Sequence, residues 1–156
     1  MRKRDKETTD FNDIEKILKE SKVCRLAFND DNYPYIVPMN FGYKNRELYF
    51  HSAKNGKKVD LIKTNNQASF EIDVEHQIIK STDECKWTAR YESVTGYGTI
   101  IILNEPAEKI AALKTIMTHY SGPEASDWKF DENIINRVLT FKLIIKKILR
   151  KKSGIR

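Results

Sequence analysis

The chain is poor in the residues that staple or anchor a fold. Two cysteines, Cys24 and Cys85, cannot build a disulfide framework or a four-cysteine zinc site. The three histidines, His51, His76 and His119, fall on separate segments, and there is no H-E-x-x-H or C-x-x-C. That pattern argues against a transition-metal enzyme. So few cysteines give no sign of an oxidising compartment, and the cytoplasm is the expected location. No apolar run exceeds four residues, as in Ile100 to Leu103, far short of the roughly 20 needed to span a bilayer. The basic start, Met1-Arg2-Lys3-Arg4-Asp5-Lys6, is followed by no apolar stretch, so no secretory signal is read there. No internal repeat and no low-complexity linker is present.

What is there fits one globular domain over residues 1–156, with flexible ends expected at 1–9 and 150–156. Hydrophobic residues make up 40% of the chain and charged ones 32%, a balance that supports a core rather than disorder. The net charge of +6 is unevenly placed. Eight basic and no acidic residues follow Glu132, and the remainder, with 20 basic and 22 acidic residues, stands at −2. A basic tail is weak evidence about the whole surface.

Patterning places a helix over Asp10 to Glu20, with Asp10 as its cap and Phe11, Ile14, Ile17 and Leu18 on one face. A strand follows from Val23 to Phe28, then a turn at Asn29-Asp30-Asp31-Asn32. Tyr33 to Tyr43 is extended, and Pro34 and Pro38 make part of it irregular or edge-like because they remove ladder donors. Lys44-Asn45-Arg46 turns into a strand from Glu47 to Ser52, and a short helix follows from Lys57 to Lys63. Ser69 to Val74 alternates cleanly as a strand. Trp87 to Leu103 reads as a long strand whose Gly96 and Gly98 mark a bulge or a close approach. Asn104 to Tyr120 is the strongest helix, capped by Asn104, with Ile110, Leu113, Met117 and Tyr120 as its stripe and Gly122-Pro123 as its stop. A shorter helix, Asp131 to Val138, and a last strand, Leu139 to Leu149, complete the chain. Short turns between successive strands favour a meander or barrel over a doubly wound parallel sheet.

The segment Tyr49-Phe50-His51-Ser52-Ala53-Lys54-Asn55-Gly56-Lys57-Lys58 is the most informative for chemistry. A strand ends in His-Ser, and a Gly-containing loop delivers two lysines to the start of a helix. Free N–H groups, the positive end of the dipole and the donors of Ser52, Lys57 and Lys58 together suit an anion such as phosphate. The same residues also make an ordinary solvated basic turn. The loop lacks the G-x-x-x-x-G-K-[ST] pattern of a P-loop. His51 is either a hydrogen-bonded strand-end residue or a proton carrier. A second cluster, Trp87 with Tyr91, Glu92, Ser93 and Val94, offers either cross-strand packing or an aromatic wall for a flat ligand. Trp128 is another candidate wall or a core residue.

Taken in order, several segments resemble a known family. They are Val23-Cys24-Arg25-Leu26-Ala27, Tyr33 to Phe41, Leu48 to Ala53 with Gly56-Lys57-Lys58, Phe70-Glu71-Ile72-Asp73, and Cys85-Lys86-Trp87 with Tyr91 to Val94 and Gly96-Tyr97-Gly98. Together they resemble the flavin-nucleotide-binding split barrels related to pyridoxamine 5′-phosphate oxidase, and within them the 5-nitroimidazole resistance branch. The resemblance implies a mainly β fold, a six-stranded antiparallel split barrel with flanking helices. It also implies a homodimer with FMN at the subunit interface. Pro38, Met39, Asn40 and Phe41 would run beside the flavin ring, and Tyr49, His51 and Ser52 would form the neighbouring strand. Lys57 and Lys58 would hold the phosphate, and Trp87, Tyr91, Glu92, Ser93 and Val94 would come from the other subunit. The chain departs from true pyridoxamine phosphate oxidases: Gly56-Lys57-Lys58 stands where they have a serine and an Arg-Lys pair. Their C-terminal substrate-binding arginine and histidine also lack a counterpart in Leu139 to Arg156.

The expected function is therefore FMN-dependent reduction of a small aromatic, nitro-type acceptor, with His51 as the candidate catalytic residue. The alternative is a flavin- or haem-binding split barrel without turnover. A nucleic-acid-binding domain, suggested by the basic tail, is disfavoured because the remainder of the chain lacks a basic aromatic platform.

Overall fold

A computed structural model of the chain describes residues 7–122, 124 and 127–154, without the side chains of Glu7 and Glu75. Residues 1–6 and 155–156 of the expected flexible ends, and Pro123 of the expected helix stop, lie outside these.

The strands are β1 (Glu7–Thr8), β2 (Cys24–Phe28), β3 (Tyr35–Met39), β4 (Gly42–Lys44), β5 (Glu47–Ala53), β6 (Gln67–Ile79), β7 (Thr88–Leu103) and β8 (Val138–Ser153). The helices are α1 (Phe11–Glu20), α2 (Lys57–Thr64), α3 (Pro106–Ser121) and α4 (Glu132–Arg137). All strand pairings are antiparallel, in the order β3-β2-β6-β7-β8-β5-β4, with β1 added to β8. Apart from the short β1 and β4, six strands remain, as the split-barrel reading expects.

The extended segment Tyr33 to Tyr43 explains how the sheet curls. Its first part, β3, pairs with β2 at one edge, and its last part, β4, pairs with β5 at the other. Only Asn40 and Phe41 lie between them. Two edges joined by two residues must sit close together, so this crossover draws the sheet into a half-barrel. Pro38 is tolerated here because β3 is an edge strand.

The concave side holds the core. Leu26, Phe28, Phe41, Leu48, Phe50, Ile72, Val94, Phe141 and Leu143 are at most 1% exposed. Helix α1 adds Ile14, Ile17 and Leu18 to the same core, and its Asp10 cap accepts the Asn12 N–H at 3.0 Å. On the opposite side of β5 and β8, α3 and α4 build a smaller cluster of Leu113, Ile116 and Ile135 with Tyr49 and Val138 against it.

Three sequence readings are corrected. The strand read over Ser69 to Val74 is longer, because β6 runs from Gln67 to Ile79 past an irregularity between Val74 and Gln77. In α3 the cap position is Glu105 rather than Asn104, and the buried stripe is Lys109, Ala112, Leu113 and Ile116, leaving Met117 and Tyr120 exposed. The stripe moves because Lys109 turns inward to donate to the carbonyls of Ile135 and Val138 at 3.2 and 3.1 Å. At the C-terminus, β8 continues through Ser153, where flexibility was expected from residue 150. Arg150 is buried there, donating to Asp13 at 2.8 Å and to Glu92 at 2.8 and 3.1 Å.

Gly96 and Gly98 sit where β7 and β8 press together. A Cβ at Gly98 would lie 2.1 Å from the Ile144 carbonyl oxygen, and one at Gly96 would lie 2.4 Å from that of Lys147. The register shifts between them, at Tyr97/Gly98, so the bulge read from the glycines is present.

Candidate functional site

The first group of site residues gathers where β5 ends, α2 begins and the crossover passes. Gly56 precedes α2 at φ 123°, a conformation that favours glycine, and no side chain caps the helix. Its first N–H groups therefore face outward without a capping partner. The two lysines that follow part company. Lys57 forms an ion pair with Asp30 at 2.5 Å and lies 5.0 Å over the Tyr35 ring. Lys58 is half-buried, and its Nζ contacts only Met39 Sδ, at 3.9 Å. No carboxylate pairs with it among the described residues, and burial pulls its ammonium below the usual lysine range. His51 is near enough to feel Lys58: burial first, and then that charge, hold its imidazole below the ordinary value.

Neighbouring residues are sorted by the pleat. Met39 and Phe41 point into the core, whereas Pro38 and Asn40 are exposed. The Phe41 N–H donates to the Tyr120 hydroxyl at 3.0 Å, which leaves Asn40 as the outward-facing amide of the crossover. Tyr49 faces α3, its hydroxyl donating to Glu47, which also takes Lys142 at 2.8 Å. Ser52 donates to its neighbour, the Ala53 carbonyl, at 2.9 Å.

The second group lies on and before the first half of β7. Trp87 is 48% exposed and held by an Nε1–H bond of 2.8 Å to the Ser81 carbonyl. Tyr91 and Ser93 stand opposite Ser153 and Lys151 on β8. Glu92 is held by Arg150. Val94 is wholly buried in the core, so its side chain faces the interior of its own chain.

Across β5, β8 and β7 the two groups lie at different positions along the sheet. His51 pairs with Thr140, and Thr140 with Leu103, at the far end of β7. Tyr91 lies 12 residues earlier on that strand, up to ~40 Å of strand contour. The structure thus joins His51, Lys58, Met39 and Asn40 in one region and leaves Trp87, Tyr91, Glu92 and Ser93 in another.

A family model for pyridoxamine 5′-phosphate oxidase matches residues 10–141. The chain belongs to this family. Among solved structures, a candidate 5-nitroimidazole antibiotic resistance protein from Bacteroides thetaiotaomicron is 28% identical, with a TM-score of 0.83 over 94% of this chain and 86% of that one. An FAD- and haem-binding protein from Mycobacterium smegmatis is 18% identical, with a TM-score of 0.85 over 96% and 74% of the two chains. An FAD-binding protein from Mesorhizobium loti is 20% identical, with a TM-score of 0.69 over 95% and 97%. None of the curated proteins matches the sequence. The half-barrel with flanking helices is thus the split barrel of the pyridoxamine 5′-phosphate oxidase family.

Sequence reasoning missed three contributors to this family member's site region. Asp30 pairs with Lys57, yet it reads as a turn residue. Tyr120 and His119 reach the crossover from the last turn of α3: Tyr120 also donates to the Lys22 carbonyl at 2.6 Å, and His119 bonds the Ser21 carbonyl at 2.6 Å. Their only sequence signal is a place at the end of an amphipathic helix. Among the described residues, no group of three His, Cys, Asp or Glu side chains comes together as a metal site, and no helix is long and apolar enough to cross a membrane.

Proposed function

We propose that the chain is an FMN-binding oxidoreductase that works as a homodimer and reduces small aromatic, nitro-type acceptors. The observation that carries the reading is Lys58, a half-buried cation with no counter-charge among the described residues, beside the uncapped start of α2. A phosphate would meet the ammonium and the outward N–H groups together. This fits a phosphorylated ligand, and Asn40 offers amide donors and acceptors for the polar edge of a ring.

When bound, FMN would pass to the acceptor, as hydride or single electrons, the electrons that a reduced donor such as a nicotinamide nucleotide delivers to it. The protein's share is binding, orientation and proton supply. Lys58 and the α2 N-terminus hold the phosphate, and Lys57 contributes field rather than direct contact because Asp30 already engages it. His51, with its pKa lowered by burial and by Lys58, is neutral at physiological pH and able to take up and return a proton. The charge of Lys58 is also placed to favour anionic character nearby.

A dimer supports the reading by completing the site. Trp87, Tyr91, Glu92 and Ser93 make no hydrogen bond or ion pair with Lys58 or His51 among the described residues, and a second copy would bring them to the site. The convex sheet face offers surface for that copy: Ile36 and Tyr97, 61% and 49% exposed, border a groove of about 600 Å³ with Ala27, Phe70 and Leu149. Small-molecule acceptors enter beside the same interface. Oxidation of pyridoxamine phosphate is disfavoured by the missing Arg-Lys pair.

The deciding experiment is the visible spectrum of the protein as purified, followed by release of any chromophore. About one FMN per chain supports the proposal. A protein that is colourless and takes up no added FMN overturns it. A haem spectrum favours the non-catalytic binding alternative; one solved neighbour is described as binding FAD and haem. With flavin in place, His51→Ala is expected to keep FMN and lose turnover. Unchanged turnover removes His51 from the mechanism.

A further inference from the structure

The crossover between β3 and β4 is held from outside by the last two turns of α3. Gly42 packs directly on the α3 backbone: a Cβ there would lie 2.7 Å from the Ile116 nitrogen and from the Thr115 carbonyl carbon. One turn further on, the His119 ring stands 4.5 Å from the Phe41 ring, and its Nε2 bonds the Ser21 carbonyl. Tyr120 then closes the arrangement. Its hydroxyl accepts the Phe41 N–H at 3.0 Å and donates to the Lys22 carbonyl at 2.6 Å. One hydroxyl therefore ties the crossover to the segment between α1 and β2. Asn40 immediately precedes the residue so held, and no hydrogen bond within the described chain engages it.

The geometry points to Tyr120 as a positioning residue for flavin: by taking the Phe41 N–H, it fixes the crossover so that Asn40 presents its amide groups to the polar edge of the ring. This inference rests on the flavin reading above. Tyr120 need not touch the flavin. It acts through the backbone it satisfies. Removing the hydroxyl leaves an N–H and a carbonyl unpaired and lets the crossover shift to find water. A site loosened by a fraction of an ångström binds and tunes its ligand less well.

The test compares wild type, Tyr120→Phe and Ile135→Val as full-length proteins. The Ile135 variant loosens the packing under α3 without touching the crossover. Each is examined by thermal melting, by FMN titration and by the midpoint potential of the bound flavin. We expect both variants to fold and to melt lower. We expect Tyr120→Phe alone to bind FMN about tenfold more weakly, with a changed potential, while Ile135→Val keeps both wild-type values. Should Tyr120→Phe not fold, Tyr120→His replaces it, since its shorter ring keeps a polar atom but cannot span the Phe41 N–H and the Lys22 carbonyl together. Its expected result is the same. If wild type binds FMN but the Tyr120 variant matches it in affinity and potential, the positioning role is overturned and the flavin reading stands. The role is also overturned if Ile135→Val shifts both values as much, because general loosening would then suffice. If wild type takes up no FMN, the flavin reading fails and this inference fails with it.

Discussion

At the scale of single residues, the pair Lys57-Lys58 separates into two different tasks. The sequence shows two adjacent lysines at a helix start and nothing to tell them apart. The fold does so through Asp30, 27 positions earlier on the turn before β3, which claims Lys57. An exposed ion pair contributes little to stability, ~0–1 kcal/mol, but it lowers the charge available to a ligand. Lys58→Met is therefore expected to weaken FMN binding 10- to 100-fold without loss of melting temperature, since a cation with no partner is a burden in the apo fold. Lys57→Met should weaken binding less than fivefold. Flavin fluorescence titration of both variants checks the order, and a larger effect at Lys57 would reverse the assignment. A pH effect follows from His51 and His119. Both imidazoles sit below the ordinary histidine value of 6.5, by burial in each case, with Lys58 adding to it at His51 and the Ser21 carbonyl opposing it at His119. Groups with a lowered folded pKa bind protons more readily when unfolded, so protonation works against the fold. The penalty is absent well above 6.5, grows as pH falls through that value, and is complete below the folded pKa. Glu15, held low by Lys19 and Tyr43, loses its contribution only as pH falls from its unfolded 4.5 toward a lower folded value. Melting temperature should thus decline between about pH 7 and 5, and decline less in the His51→Gln, His119→Gln double variant. Parallel pH curves for the two proteins would contradict the assignment.

At the scale of elements, legibility followed backbone demands. The turn before β5 was read at Lys44-Asn45-Arg46, and the structure puts Asn45 and Arg46 at φ 51° and 63°. The bulge was read from Gly96 and Gly98 because no other residue fits against β8 there. The crossover was read from Pro34 and Pro38 only as irregularity, since local sequence does not say which edges a strand will join. The last strand shows the limit most clearly. Its alternation continues past Leu149, with Ile148 and Arg150 both buried, but a run of lysines and arginines reads as a solvated tail. Arg150 belongs to the interior because Glu92 from β7 and Asp13 from α1 surround it, and neither partner is visible from the tail. Its removal leaves Glu92 a partly buried carboxylate without a cation. We expect Arg150→Ala to cost about 3 kcal/mol, against under ~0.5 kcal/mol for the exposed Lys146→Ala. Urea denaturation of the two variants measures this, and equal midpoints would restore the tail to the solvent.

At the scale of the whole molecule, the proposed site draws its two groups of residues from different parts of the sheet. The residue types proposed for each have a local signature, a basic turn and an aromatic stretch. Their placement does not, because it depends on the register of β5, β8 and β7 across the sheet. In the proposed homodimer each site takes Lys58 and His51 from one chain and Trp87 with its neighbours from the other. That arrangement has a consequence for mixtures. Chains carrying Lys58→Met alone lose the phosphate side of both sites, and chains carrying Trp87→Ala alone lose the wall of both. In a mixed dimer, the Trp87→Ala chain supplies an intact Lys58 and the Lys58→Met chain an intact Trp87, so one of the two sites is whole and the other carries both defects. Trp87 suits the experiment because its ring is largely outside the core and its loss leaves the barrel packed. Unfolding, mixing and refolding the two variants in equal amounts gives half mixed dimers, so wild-type-affinity binding should appear at about one FMN per four chains. Either variant refolded alone should show none. If the whole site lay within one chain, no combination of the two could contain an intact copy and mixing would restore nothing. Recovery of tight FMN binding on mixing therefore separates the two architectures, and its absence, with both variants defective alone, would place Trp87 and Lys58 in the site of one and the same chain.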